Sequence, residues 1–82
     1  MRVLFFGRLR EAAGCAELNC TPPAQVQTVG ALRDWLAQRD PILDDALRQP
    51  GMRVALDQSF CSLDTVIADA SEIAFMSPLS GG

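Results

Sequence analysis

Val3-Leu4-Phe5-Phe6, near the start of the sequence, and Glu72-Ile73-Ala74-Phe75-Met76, near its end, decide the fold. Both runs are short, rich in aromatic or β-branched residues and bounded by turn-forming residues, which suits strands better than helices. Both also place apolar side chains on two faces: Val3 and Phe5 point one way and Leu4 and Phe6 the other, as do Ile73 and Phe75 against Ala74 and Met76. A sheet covered on one side should instead alternate apolar with polar residues. If the two runs are neighbouring strands, Leu4, Phe6, Met76 and Phe60 make an uncovered apolar patch, and such patches mark interfaces.

Between the two runs the order of elements is legible. Gly7 to Gly14 reads as a loop or short turn carrying Arg8, Arg10 and Glu11, and Ala16 to Cys20 as a weak second strand that Thr21-Pro22-Pro23 ends. Thr28 is a good N-cap for a helix from Val29 to about Arg39. There Val29, Leu32 and Leu36, with Trp35, form one buried stripe opposite Arg33, Asp34 and Gln38. Asp40-Pro41 starts a shorter helix to about Arg48. Pro50-Gly51 is a turn, Met52 to Leu56 a strand, Asp57-Gln58 a turn, Phe60-Cys61 a short edge strand and Asp64 to Ser71 a loop. One main helix covers only one face of such a sheet. The expected fold is an α+β roll over residues 1–76, its second face partly bare, followed by a free, flexible C-terminal tail over 77–82.

Composition narrows the function. Eighty-two residues allow one domain. All seven cationic side chains are arginines, scattered among ten acids for a net charge of −3, which argues against a nucleic-acid partner. The chain has no His, Tyr or Lys, so the commonest general base, the commonest zinc ligand and Schiff-base chemistry are all missing. Cys15, Cys20 and Cys61 lack metal-ligand spacing and read as small buried hydrophobes in a reducing compartment. The apolar opening breaks at Arg8, too short for a signal peptide or membrane span, so the expected location is cytoplasmic, with no membrane partner.

The chemistry is expected at the end of the sequence, Ser77-Pro78-Leu79-Ser80-Gly81-Gly82. Two terminal glycines arise by chance in about one chain in 200 at ordinary glycine usage. Without Cβ atoms they form the thinnest and most permissive peptide available, able to thread a narrow channel and present a carboxylate inside another protein. Adenylation of that carboxylate by ATP makes a mixed anhydride, and sulfide from a donor converts the anhydride to a thiocarboxylate. A chain with so few catalytic side chains suits this task, because partners supply the acid, base and oxyanion groups.

The opening Val3-Leu4-Phe5-Phe6-Gly7-x-x-Arg10-Glu11-x-x-Gly14, the strand Val54-Ala55-Leu56 and the ending Glu72-Ile73-Ala74-Phe75-x-x-Pro78-x-Ser80-Gly81-Gly82 together resemble the MoaD-like sulfur carriers, the small subunits of molybdopterin synthase. The resemblance spans the whole chain. It implies a ubiquitin-like β-grasp fold with a mixed sheet, and thiocarboxylation at Gly82, reached through Gly81. It implies no bound cofactor, with ATP consumed by an E1-like adenylyltransferase and sulfur supplied by a cysteine desulfurase or rhodanese. It also implies docking into the large synthase subunit in a heterotetramer, where two carriers in turn supply the dithiolene sulfurs to cyclic pyranopterin monophosphate. Phe6, Arg10, Phe60 and Met76 fall where such carriers meet their partners, and Pro78, Leu79 and Ser80 lead the reactive end toward them.

The chain departs from the family in three places. Ala70-Ser71 stands where Gly-Asp is usual, Asp57 replaces a common Asn, and Ser77-Pro78 replaces Pro-Pro, which predicts a slightly looser tail root. Two alternatives stay open: a carrier of the thiamin-thiazole type, which also ends in Gly-Gly, and a β-grasp binding module with an inert end.

Overall fold

Arg2–Phe6 (β1) and Glu72–Met76 (β5) lie side by side in the computed structural model, which describes residues 1–78. They pair in parallel from Arg2 opposite Glu72 to Phe6 opposite Met76. Parallel neighbours need a crossover. The chain makes it through α1 (Arg8–Ala13), β2 (Glu17–Asn19), α2 (Val29–Ala37), α3 (Pro41–Leu47), β3 (Arg53–Leu56) and β4 (Ser59–Cys61). The sheet runs in the order β2-β1-β5-β3-β4, with every pair except β1 and β5 antiparallel. This is the expected mixed sheet of a β-grasp roll.

The core forms where the helices meet one sheet face. Val3, Phe5, Val54, Ile73 and Phe75 from the strands pack with Val29, Leu32 and Leu36 of α2, Leu43 and Leu47 of α3, and Leu9 of α1. The Phe5 and Phe75 rings stack with centroids 6.2 Å apart. Each side chain of this size contributes about 1.5–3 kcal/mol through burial. Thr28 caps α2 as expected, its hydroxyl accepting from the Ala31 N–H at 3.1 Å. The helix stops at Ala37, short of Arg39, whose guanidinium instead stands 5.6 Å from the Trp35 ring centre. Asp40 caps α3 by accepting from the N–H groups of Ile42 and Leu43, with Pro41 in the first turn.

The segment read as a loop between Gly7 and Gly14 is a helix. Leu9 is fully buried while Ala12 and Ala13 pack against the core, an i, i+3, i+4 face too short to stand out in the sequence. Gly14, at φ 78°, closes the helix through N–H bonds to the carbonyls of Arg10 and Glu11. Its start has no side-chain cap of its own, because the capping position is Gly7.

The loop before β5 also differs from the family pattern. The left-handed position lies at Ala68, not Ala70. Ser71 and Glu72 donate their N–H groups to Asp57 Oδ1, each at 3.0 Å, so the aspartate ties the start of β5 to the β3–β4 turn. In that two-residue turn Asp57 and Gln58 both have positive φ, 46° and 70°, a geometry that favours Asn-Gly. Gln58→Gly is expected to raise stability by about 0.5–1 kcal/mol, measured by urea unfolding. Among the described residues no helix is long and apolar enough to cross a membrane.

Candidate functional site

The strand register builds the second sheet face row by row. Leu4 lies opposite Ala74, Ala74 opposite Ala55 and Ala55 opposite Phe60, while Phe6 lies opposite Met76 and Met76 opposite Arg53. Residues directly opposite one another point to the same side, so these seven form one surface. Ala55 and Ala74 are buried although neither belongs to the helix-covered core. Phe6 is 49% exposed and Phe60 62% exposed, large apolar side chains facing outward. The Arg53 guanidinium lies 4.1 Å from the Phe60 ring centre, a cation–π contact that leaves a positive charge at the edge of the apolar area.

The face has two unlike ends. At one end Arg2 bonds to Glu17 at 3.1 and 3.2 Å and to Glu72 at 3.3 Å, a charged row that closes the patch. The other end is the pair Phe6 and Met76, the last residues of β1 and β5. The chain beyond Met76 therefore leaves from the edge of the patch. Ser77 and Pro78 are half-buried there; Leu79, Ser80, Gly81 and Gly82 lie outside the described residues.

Of the residues singled out in the sequence, Phe6, Phe60 and Met76 meet on this face. Arg10 does not: it is exposed on α1, whose Leu9 packs in the helix layer. Sequence reasoning passed over Arg53 and Ala55 as members of the face, although their alternation with Val54 put them there. It also missed Ser77, for which no local signal exists.

Side-chain chemistry around the face is sparse. Cys15, Cys20 and Cys61 are free, half-buried and packed against the core. Burial pushes the Cys20 thiol up, against the pull of the N-terminal amine and Arg39, which makes it a poor nucleophile. Among the described residues no group of His, Cys, Asp or Glu is arranged to hold a metal ion.

The sequence pattern of the ThiS family matches residues 3–82. The chain belongs to this family. It is 37% identical over its full length to the molybdopterin synthase sulfur carrier subunit of Mycobacterium tuberculosis, covering 96% of that protein. It is 33% identical, again over its full length, to the protein of the same name from Escherichia coli, covering 99% of it. Among solved structures it is similar to SAMP1 from Haloferax volcanii, with a TM-score of 0.78, 27% identity, and 100% and 98% of the two chains covered. It is also similar to the small archaeal modifier protein 1 of Methanosarcina acetivorans, with a TM-score of 0.79, 25% identity, and 99% and 94% covered. The match to the ThiS family thus runs over residues 3–82, and the open face of the described fold lies beside the root of the tail.

Proposed function

We propose that the chain is the sulfur-carrier small subunit of a molybdopterin synthase, acting in molybdenum cofactor biosynthesis. The observation that carries this reading is the continuous apolar face, Leu4, Ala74, Ala55 and Phe60 with Phe6 and Met76, that runs up to the point where the tail departs. A partner seated on that face has the last residues of the chain within its reach. Full-length similarity to two proteins named as such carriers supports the same reading.

The chain itself holds no cofactor and catalyses no step. An E1-like adenylyltransferase joins the Gly82 carboxylate to the α-phosphorus of ATP, releasing pyrophosphate. The outer sulfur of a persulfide on a cysteine desulfurase or a rhodanese then displaces AMP to give an acyl disulfide. A thiol reductant cleaves its S–S bond, leaving a thiocarboxylate on Gly82 and a disulfide between the donor cysteine and the thiol. In the large subunit the thiocarboxylate sulfur forms a C–S bond to a side-chain carbon of cyclic pyranopterin monophosphate, displacing an oxygen substituent of that carbon. Water finally cleaves the carbonyl–sulfur bond, so that the sulfur stays on the product and the Gly82 carboxylate is regenerated. Phe6, Phe60, Met76 and Arg53 provide the docking area, and residues 78–82 the arm.

The direct test is the mass of the C-terminal peptide after incubation with the activating enzyme, ATP and a sulfur donor. Replacement of one oxygen by sulfur at Gly82 is expected. Measuring the peptide rather than the whole chain separates this change from oxidation at Met or Cys, which adds nearly the same mass. A Gly82 that stays a carboxylate overturns the reading. Membership of the ThiS family keeps delivery to a thiazole as the second reading, and offering loaded carrier to both acceptor systems in parallel decides between them.

A further inference from the structure

We propose that Ser77 and Gly51 are positioning residues for sulfur delivery, fixing the chain at Pro78 so that the delivering arm starts there rather than at the end of β5. The inference deepens the carrier reading and rests on it.

The geometry is specific. Gly7, at φ 64° and ψ −136°, occupies a region of backbone space that is essentially reserved for glycine. A Cβ there would collide with Ser77 Oγ. That oxygen accepts from the Arg8 N–H at 3.0 Å and its hydroxyl donates to the Phe6 carbonyl at 3.5 Å. Helix α1 has no cap of its own, and Ser77, 69 residues away in sequence, supplies one. On the other side Gly51 has φ 84°, and the Pro78 ring packs on its bare Cα: a Cβ there would stand 3.0 and 3.4 Å from Pro78 Cγ and Cβ. The tail root is thus gripped between the start of α1 and the turn from α3 to β3.

The grip determines reach and direction. Four residues beyond Pro78 span at most about 14 Å when extended, against about 21 Å for six residues beyond Met76. By the −3/2 power of length, shortening an arm from six residues to four raises the local concentration of its end only about twofold. A fixed direction of departure matters more, because misplacement of reacting atoms by about 1 Å can cost a factor of 10². Ser77 therefore acts on the transfer rate and not on docking.

The test uses the full chain, loaded with sulfur by its activating enzyme and mixed with the large subunit and pterin substrate. Ser77→Ala is expected to slow single-turnover transfer about five- to tenfold while the Kd for the large subunit stays within about twofold. Ser77→Thr, which keeps the hydroxyl, should restore the rate. Exchange of the Arg8 amide hydrogen should quicken in the alanine variant and not in the threonine variant. Gly51→Ala, which pushes on the Pro78 ring, should show the same split between rate and affinity. Its fold is verified by thermal melting, and Ser77→Ala decides alone if it does not fold. A Ser77→Ala carrier that transfers at the normal rate, or whose loss lies wholly in Kd, overturns the inference. A parent protein that takes up no sulfur at Gly82 overturns the carrier reading first, and this inference with it.

Discussion

Removal of Gly82 is expected to abolish sulfur transfer while leaving association with the large subunit within about twofold of normal. The reason is the division of labour in the structure. Docking is assigned to Phe6, Met76, Arg53 and Phe60, all on strands whose positions are set by backbone pairing and do not depend on the last residue. Delivery is assigned, in the proposed reading, to the final carboxyl group. Losing one residue withdraws that group by about 3.5 Å. Because even about 1 Å of misplacement costs a hundredfold, the rate should fall by at least about 10³. Single-turnover product formation measures the loss and titration of the large subunit measures the affinity. Normal turnover by the shortened chain would mean that Gly82 does not deliver the sulfur and would overturn the carrier reading.

The second large effect is expected from Phe6→Asp. In the free protein Phe6 is half exposed and contributes nothing to the helix-covered core, so the substitution should cost no more than about 1 kcal/mol of folding stability. Docking on the open face, as proposed, would bury the same position at the tail end of the apolar surface, beside Met76, and an aspartate there would be an unpaired buried charge. Such charges cost about 3–5 kcal/mol, which weakens binding by roughly 10²–10³-fold or more. Phe6→Ala should cost less, about 1–3 kcal/mol. Calorimetric titration against the large subunit, with thermal melting as the folding control, checks both. Unchanged affinity would show that the partner seats elsewhere.

Much of this arrangement was legible in the sequence because its signals are local. Thr28 and Asp40-Pro41 announce the starts of α2 and α3, and apolar residues on both faces of Val3 to Phe6 and Ile73 to Met76 announce the central strands and a second face with something to cover it. What escaped depends on distant partners. Helix α1 is six residues long, and its initiating cap comes from Ser77 at the far end of the chain. The prediction of a looser tail root treated Ser77 as a lost proline. A hydroxyl at that position makes hydrogen bonds to α1 and β1 that a proline ring could not. The turn before β5 likewise takes its shape from Asp57, fifteen residues from Glu72, rather than from a glycine within it. Membership of the open face required the register: Phe60 joins Ala55, and Arg53 joins Met76, only once the strand order is known. Gly81 and Gly82 were read from residue type and from the family, and lie outside the described residues.

The parallel alignment of β1 with β5 has a practical corollary. Both strands run the same way, so Met1, whose amine donates to the Cys20 carbonyl at 2.9 Å, sits at the pole opposite Met76, with about 17 Å of strand between them. In the proposed reading, a solid support, fluorophore or affinity handle attached ahead of residue 1 would stand clear of the pole from which the tail departs, whereas the same attachment behind residue 82 would block the carboxyl group assigned to delivery.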